Sequence, residues 1–306
     1  MDSIKVFYPG FVRKAITFTM DDGNMKYDAM LLNILKPAGI KGTFNLCSDL
    51  HKGREGETIE FYKEYDIANH CKYHPLVNCC DDLIVSDDDF DQQTADAKFI
   101  YRVDGKEGLY WQMQPNGWRQ MAFVDDYIRF VSEGLCELNE MFGNEKVKDF
   151  VWPYHEANND IIKAFVRKTH RSVRKTGCTF DTTGFAIPSD KYAWSYNADH
   201  RNLLEVMEKY ESYPDDGALK FFAFGVHSID FERDDKWGDL SVFAEKYGNR
   251  PDTYWYASVG EIFDYEEALS SLVITDFAIE NPSNTAVYLS VNENQVILNP
   301  KDSIKI

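Results

Sequence analysis

Residues 15–23, Ala-Ile-Thr-Phe-Thr-Met-Asp-Asp-Gly, decide how the 306-residue chain is read. Ala15, Ile16 and Phe18 form an alternating apolar run, the pattern of a strand with one buried face. The run ends at Met20 and delivers two adjacent carboxylates, Asp21 and Asp22, into a turn at Gly23. Asp-Asp-Gly by itself is an ordinary turn. Its company changes its meaning. Residues 69–75, NHCKYHP, hold His70 and His74 four positions apart, and His227 closes a late apolar run, FFAFGVH. An acid pair, a histidine pair and a distant histidine, each directly after a strand, are the parts of a metal-dependent hydrolase.

Outward from this stretch, short apolar strands alternate with helical periodicity along most of the chain, which is the pattern of a parallel α/β fold. Strands are predicted at 15–19, 42–46, 66–69, 149–152, 172–175, 185–187, 221–226 and near Tyr254, with helices at 29–36, 125–141, 159–168, 202–210 and 258–270. Such interleaving predicts a (β/α) barrel, whose reactive groups gather at the C-terminal ends of the strands. Asp21 and Asp22, His70 and His74, residues 153–155 and His227 all occupy that position, so one face is expected to collect them. A long insert, 75–121, holds a hairpin signal in which Asp104-Gly105 separates FIYRV from GLYWQ, and it is expected to overhang that face. Residues 272–306 read as a small β-extension, too small to stand alone and expected to pack on a barrel domain spanning 1–271.

Composition narrows the partners. A formal net charge of −18 disfavours nucleic acid and anionic membrane surfaces. No apolar run reaches membrane-spanning length, and the opening MDSIKVFYPG lacks the layout of a signal peptide, so a cytoplasmic protein is expected. The six cysteines, Cys47, Cys71, Cys79, Cys80, Cys136 and Cys178, are too sparse for a disulfide scaffold and lack CxxC spacing for zinc, which predicts reduced thiols. Oligomeric state is left open.

The chemistry follows from the residue types. One carboxylate and two histidines make a catalytic zinc set with positions open for water and substrate. Only one of Asp21 and Asp22 need bind the metal, which leaves its neighbour to take a proton from water. His227 would supply the acid that protonates a leaving amine.

In order and spacing these segments resemble the polysaccharide deacetylase family, carbohydrate esterase family 4, built on the NodB-homology domain. TFTMDDG, HCKYH, VWPY (151–154) and GVH (225–227) are similar to that family's TFDDG, H-x-x-x-H, R-x-P-Y and L-x-H segments, and they cover about residues 16–265. The resemblance implies a distorted (β/α) barrel of about seven strands. It implies Asp21 as general base, Asp22, His70 and His74 as ligands of one divalent metal, the Tyr154 backbone N–H facing the oxyanion, and His227 as general acid. Zinc is the expected ion, and cobalt or nickel suits the same donors. Three departures stand out. Val151 replaces the usual arginine near the base, His155 replaces a glycine, and the support for His227 is divided among Asp190, Trp194, Asp199 and His200.

The expected activity is hydrolysis of an N-acetyl group on an amino sugar or polysaccharide, with Trp152, His155, Trp111 and Trp118 as candidate substrate contacts. Hydrolysis of another small amide or an O-acetyl ester, and non-catalytic carbohydrate binding, are the alternatives.

Overall fold

The structure, a computed structural model, describes residues 3–78, 83–175 and 184–306, so Cys79, Cys80 and Cys178 lie outside the described residues. Seven strands form the main sheet: β1 (Lys14–Asp22), β2 (Gly42–Leu46), β3 (Asp66–Asn69), β4 (Asp149–Val151), β5 (Ser172–Arg174), β6 (Lys220–His227) and β7 (Tyr254–Tyr256). Six follow the order β5-β4-β3-β2-β1-β6, and β7 pairs with the first three residues of β1. The pairs β1–β6, β1–β7, β3–β4 and β4–β5 are parallel, which makes this the α/β arrangement that the alternating pattern predicts.

Two strand expectations need correction. β1 was expected to bury one face, yet every residue from 15 to 21 is buried. A parallel strand in the middle of an α/β sheet is covered on both faces, so Thr17 and Thr19 lie in the core as fully as Phe18. Residues 185–187 form no strand and make only an isolated antiparallel bridge, Ala186 to Lys220. Phe185 sits at φ 49°, a left-handed turn of the backbone that breaks the pleat.

The helices are α1 (Met25–Leu35), α2 (Glu55–Tyr62), α3 (Val124–Phe142), α4 (Asp160–Thr169), α5 (Leu203–Ser212), α6 (Ser228–Arg233), α7 (Trp237–Tyr247) and α8 (Val259–Ser270). Local chemistry sets several of their ends. Asn159 caps α4 by accepting the N–H groups of Ile161 and Ile162, each at 3.0 Å. Ser258 and Glu261 close a reciprocal capping box on α8. The Lys14 ammonium donates to the carbonyls of Tyr210, Glu211 and Tyr213 and so covers the C-terminal end of α5. The predictions missed α2, α6 and α7. EGETIEFY and SIDFER are too short and charged to show an apolar stripe.

The chain divides into two compact units. The first comprises Met1–Phe44, Tyr62–Asp66 and Thr179–Ile306. Its strands β1, β6 and β7 are packed by aromatic rings, among them Phe18, Phe222, Phe224, Phe243 and Tyr210. The C-terminal residues contribute two small sheets to it. Val287–Val291 pairs with Asn294–Leu298 and with the N-terminal strand Ile4–Phe7, and Val273–Ile274, Ala278–Glu280 and Ser303–Lys305 form the other. Ile279, Val287, Leu289 and Leu298 share a buried cluster with Tyr8, Phe263 and Tyr265.

The second unit comprises Asn45–Phe61 and Ile67–Cys178. It includes β4, β5, α3, α4 and a five-stranded sheet built by the insert, in the order Leu76–Asn78, Gly117–Phe123, Tyr110–Gln114, Phe99–Arg102, Ile84–Ser86. The expected hairpin is present as Phe99–Arg102 antiparallel to Tyr110–Gln114, with Tyr101 opposite Trp111. Among the described residues no helix is long and apolar enough to cross a membrane.

Candidate active site

The first unit assembles the acid pair and the distant histidine. β1 and β6 run in parallel register until Asp21 stands opposite His227. Asp21 is buried at 6% exposure, whereas Asp22 is half-buried and takes φ 73°, a conformation that a residue with a Cβ adopts at a cost of about 1–2 kcal/mol. The Asp22 carboxylate lies 3.6 Å from His227 Nε2.

The opposite ring nitrogen, Nδ1, donates to Asp230 Oδ2 at 2.8 Å, and Asp230 also accepts from Arg233 at 3.1 Å. Burial acts to lower the pKa of His227. The Asp230 hydrogen bond and the charges of Asp21 and Asp22 outweigh it and push the imidazole up to about 9. Asp230 moves the other way: burial opposes its ionisation, while His227 and Arg233 hold it below the usual carboxylate range.

Asp230 is the supporting residue that the sequence reading missed. Asp190 accepts from the Tyr192 N–H, Asp199 is engaged by Arg201 and Asn202, and His200 pairs with Asp234 at 2.6 Å. Trp194 packs in the core against Phe221 and Phe263. The available signal was the spacing His227-Ser228-Ile229-Asp230, which wraps the first turn of α6 so that the acid returns to the ring.

A pH test follows from this geometry. The folded-state pKa of His227 lies above an unfolded value of roughly 6.5, so its pairing contributes stability that is fully present below about pH 6.5 and lost as the pH rises through about 9. Asp230→Asn is expected to lower the His227 titration midpoint in metal-free protein and to flatten that stability loss. Imidazole NMR titration and denaturant melts at several pH values check both. An unmoved midpoint would mean that Asp230 does not hold the ring.

The second unit assembles the histidine pair. His70 follows β3 and is buried, and its Nδ1 lies 2.9 Å from the Val151 carbonyl. A carbonyl only accepts, so Nδ1 carries the proton and the lone pair sits on Nε2. The His70 and His74 rings meet edge-on with centroids 4.6 Å apart, and His74 meets Tyr154 at 4.5 Å. The intervening segment is a loop, not a helical turn, and Cys71 (φ 68°), His74 (φ 58°) and Tyr154 (φ 56°) are all left-handed. Strained non-glycine residues cluster where function holds them. The Cys47 thiol donates to the His70 carbonyl at 3.2 Å, which puts a second metal-binding atom type in the neighbourhood of His70.

Other candidates fare differently. Trp152 is 1% exposed, between Tyr127 and Phe150, so it is core packing and not a sugar platform. Trp118 is buried and Trp111 half-buried in an aromatic cluster around Phe90, where Trp111 stacks at 5.0 Å, so the insert uses both to hold itself together. His155 is exposed beside the exposed Tyr154. Val151 is buried in β4, and the fully buried Arg174 stands beside it in register on β5. The second unit thus keeps a buried arginine one strand away from the position where the resemblance leads one to expect it.

No protein-family model and no curated protein sequence matches the chain. Solved structures do match. A Mycobacterium smegmatis protein assigned to the polysaccharide deacetylases superposes with a TM-score of 0.51 over 90% of this chain and 99% of its own, at 14% identity. The fold is that of the polysaccharide deacetylases. Further neighbours of this deacetylase fold are two proteins from Bacillus anthracis. One is a family 4 carbohydrate esterase (TM-score 0.43, 14% identity, 84% of each chain), and the other a family 4 pseudoenzyme (TM-score 0.41, 13% identity, 82% of this chain and 66% of its own). A likeness of fold does not fix function, which has to be argued from the side chains.

Proposed function

We propose that the protein is a metal-dependent hydrolase that removes the acetyl group from an N-acetylated amino sugar or polysaccharide. The observation that carries this reading is geometric. The His227 ring lies between Asp22, 3.6 Å from its Nε2, and Asp230, 2.8 Å from its Nδ1, while His70 Nδ1 faces the Val151 carbonyl at 2.9 Å, so Nε2 is the His70 nitrogen that could bind a metal. A neutral His ligand oriented by a carbonyl on its other nitrogen is how proteins build metal sites, and the donors suit zinc.

In this reading Asp22, His70 and His74 would hold the ion. When bound, it would lower the pKa of water and polarise the acetyl carbonyl. Asp21, buried and acceptor-only when ionised, takes the proton of the attacking water. The Tyr154 backbone N–H, on its strained turn, is assigned to the developing oxyanion. His227 gives its Nε2 proton to the departing nitrogen while Asp230 keeps the ring oriented through Nδ1. Of the substrate-contact candidates His155 is exposed, beside the exposed Tyr154.

Acetate release from a panel of N-acetylated sugars, with and without chelator, tests the function. Protein purified without chelator is expected to carry one divalent metal per chain, and His74→Ala to lose it together with activity. Full metal occupancy and activity in that variant would overturn the ligand assignment. Chelator-insensitive acetate release would overturn the metal dependence.

A further inference from the structure

We propose that α3 clamps the turn between His70 and His74 into its strained shape, and that Asn69, Lys72 and Gly134 are positioning residues that preset the two imidazoles for metal capture. This rests on the metal reading above and goes beyond it by naming what fixes the ligand geometry.

Three independent ties hold the turn. Asn69, directly before His70, has its amide fully engaged: Nδ2 donates to the Val131 carbonyl of α3 at 2.9 Å and to His170 Nε2 at 3.2 Å, and Oδ1 accepts the Cys71 N–H at 3.0 Å. His170 can accept because it is neutral. Burial drives its pKa down to about 4, and its Nδ1 faces the Val166 carbonyl at 3.3 Å, so the proton sits on that side.

Gly134 is the second tie. It lies inside α3, where alanine is the better helix former. A Cβ there would stand 2.8 Å from Asn69 Oδ1 and 2.9 Å from the Cys71 carbonyl carbon. The turn therefore rests directly on the helix backbone, and only glycine permits that approach.

Lys72 is the third tie and lies between the two histidines in sequence. Its side chain, 15% exposed, reaches Glu133 at 2.9 Å and Glu137 at 2.7 Å on α3. Its carbonyl accepts the Asp49 N–H at 3.2 Å, and Glu137 also accepts the Ser48 hydroxyl at 2.5 Å. Both ends of the residue are pinned. The strained form sets the two imidazole rings edge-on with centroids 4.6 Å apart.

The test measures the zinc dissociation constant of the full chain by competition with a chelating dye, alongside circular dichroism and acetate release at saturating zinc. Gly134→Ala and Lys72→Met are expected to weaken zinc binding by roughly 10- to 100-fold, the usual cost of losing outer-shell support. Both should remain folded and recover parental kcat at saturating zinc. Lys72→Arg keeps the charge and is expected to stay near the parent. Should Gly134→Ala fail to fold, Lys72→Met decides the matter. Parental zinc affinity in folded variants would overturn the clamp while leaving the metal reading intact. A parent that does not bind zinc, or one whose His74→Ala variant binds it undiminished, would overturn both.

Discussion

Asp21→Asn is expected to keep its metal and lose acetate-releasing activity by on the order of 10²–10⁴-fold, equivalent to about 2.7–5.5 kcal/mol of transition-state stabilisation. The amide matches the carboxylate in shape, and Asp21 is buried at the end of a strand that is paired along its whole length, so the backbone has no reason to move. What the amide cannot do is accept a proton. Asp22→Asn should behave differently. Its carboxylate lies 3.6 Å from His227 Nε2 and is the one assigned to the metal, so its substitution should lower metal affinity first and activity as a consequence. Metal content and single-turnover acetate release on both variants separate the roles. Loss of metal in Asp21→Asn with retention in Asp22→Asn would mean that ligand and base are exchanged.

Much of this arrangement was legible because parallel α/β proteins write their strands as short apolar runs. β2 and β3 fall at the predicted residues, and β1 and β6 extend the predicted cores by only a few positions. Failures came where tertiary contacts override local pattern. The run 185–187 is apolar enough for a strand, but the left-handed Phe185 and a single bridge to Lys220 leave it irregular. α2 and α6 are short and carry several charges, so no periodicity announces them. The burial of Thr17 and Thr19 was invisible for a related reason: a strand hidden on both faces need not alternate.

The candidate site divides along a similar line. Residues that carry chemistry by type and spacing, the acid pair and the three histidines, could be read directly. Residues that orient them could not. Asp230 looks like any acid in the first turn of a helix until the fold returns it to His227, and Gly134 looks like a weak point in α3 until the turn at Cys71 is seen resting on it. Tryptophans misled in the opposite direction. Trp152 and Trp118 have the composition of sugar-stacking residues, but a large ring is also the cheapest way to fill a core, and burial shows which use this chain makes of them.

His227→Ala is expected to damage amide hydrolysis far more than aryl-ester hydrolysis. An amine leaves an acetyl centre only after it is protonated, whereas a nitrophenolate departs as the anion, so a general acid matters to the first reaction and barely to the second. The structure supplies what such an acid needs. Nδ1 is tied to Asp230, and nearby carboxylates keep the ring protonated up to about pH 9. A dication held by Asp22 would oppose that rise, so in the metal-loaded protein the basic limb of kcat/KM for amides should fall below pH 9. Removing the ring leaves Asp230 its contact with Arg233, so α6 keeps its first turn and the variant should fold. On an N-acetyl sugar the expected loss is on the order of 10²–10⁴-fold, and on a nitrophenyl acetate it is much smaller. The basic limb should also disappear from the amide profile, because the group whose deprotonation ends activity is gone. Equal losses on the two substrates, or a basic limb that survives the substitution, would assign His227 to binding or structure and leave the proton to another group.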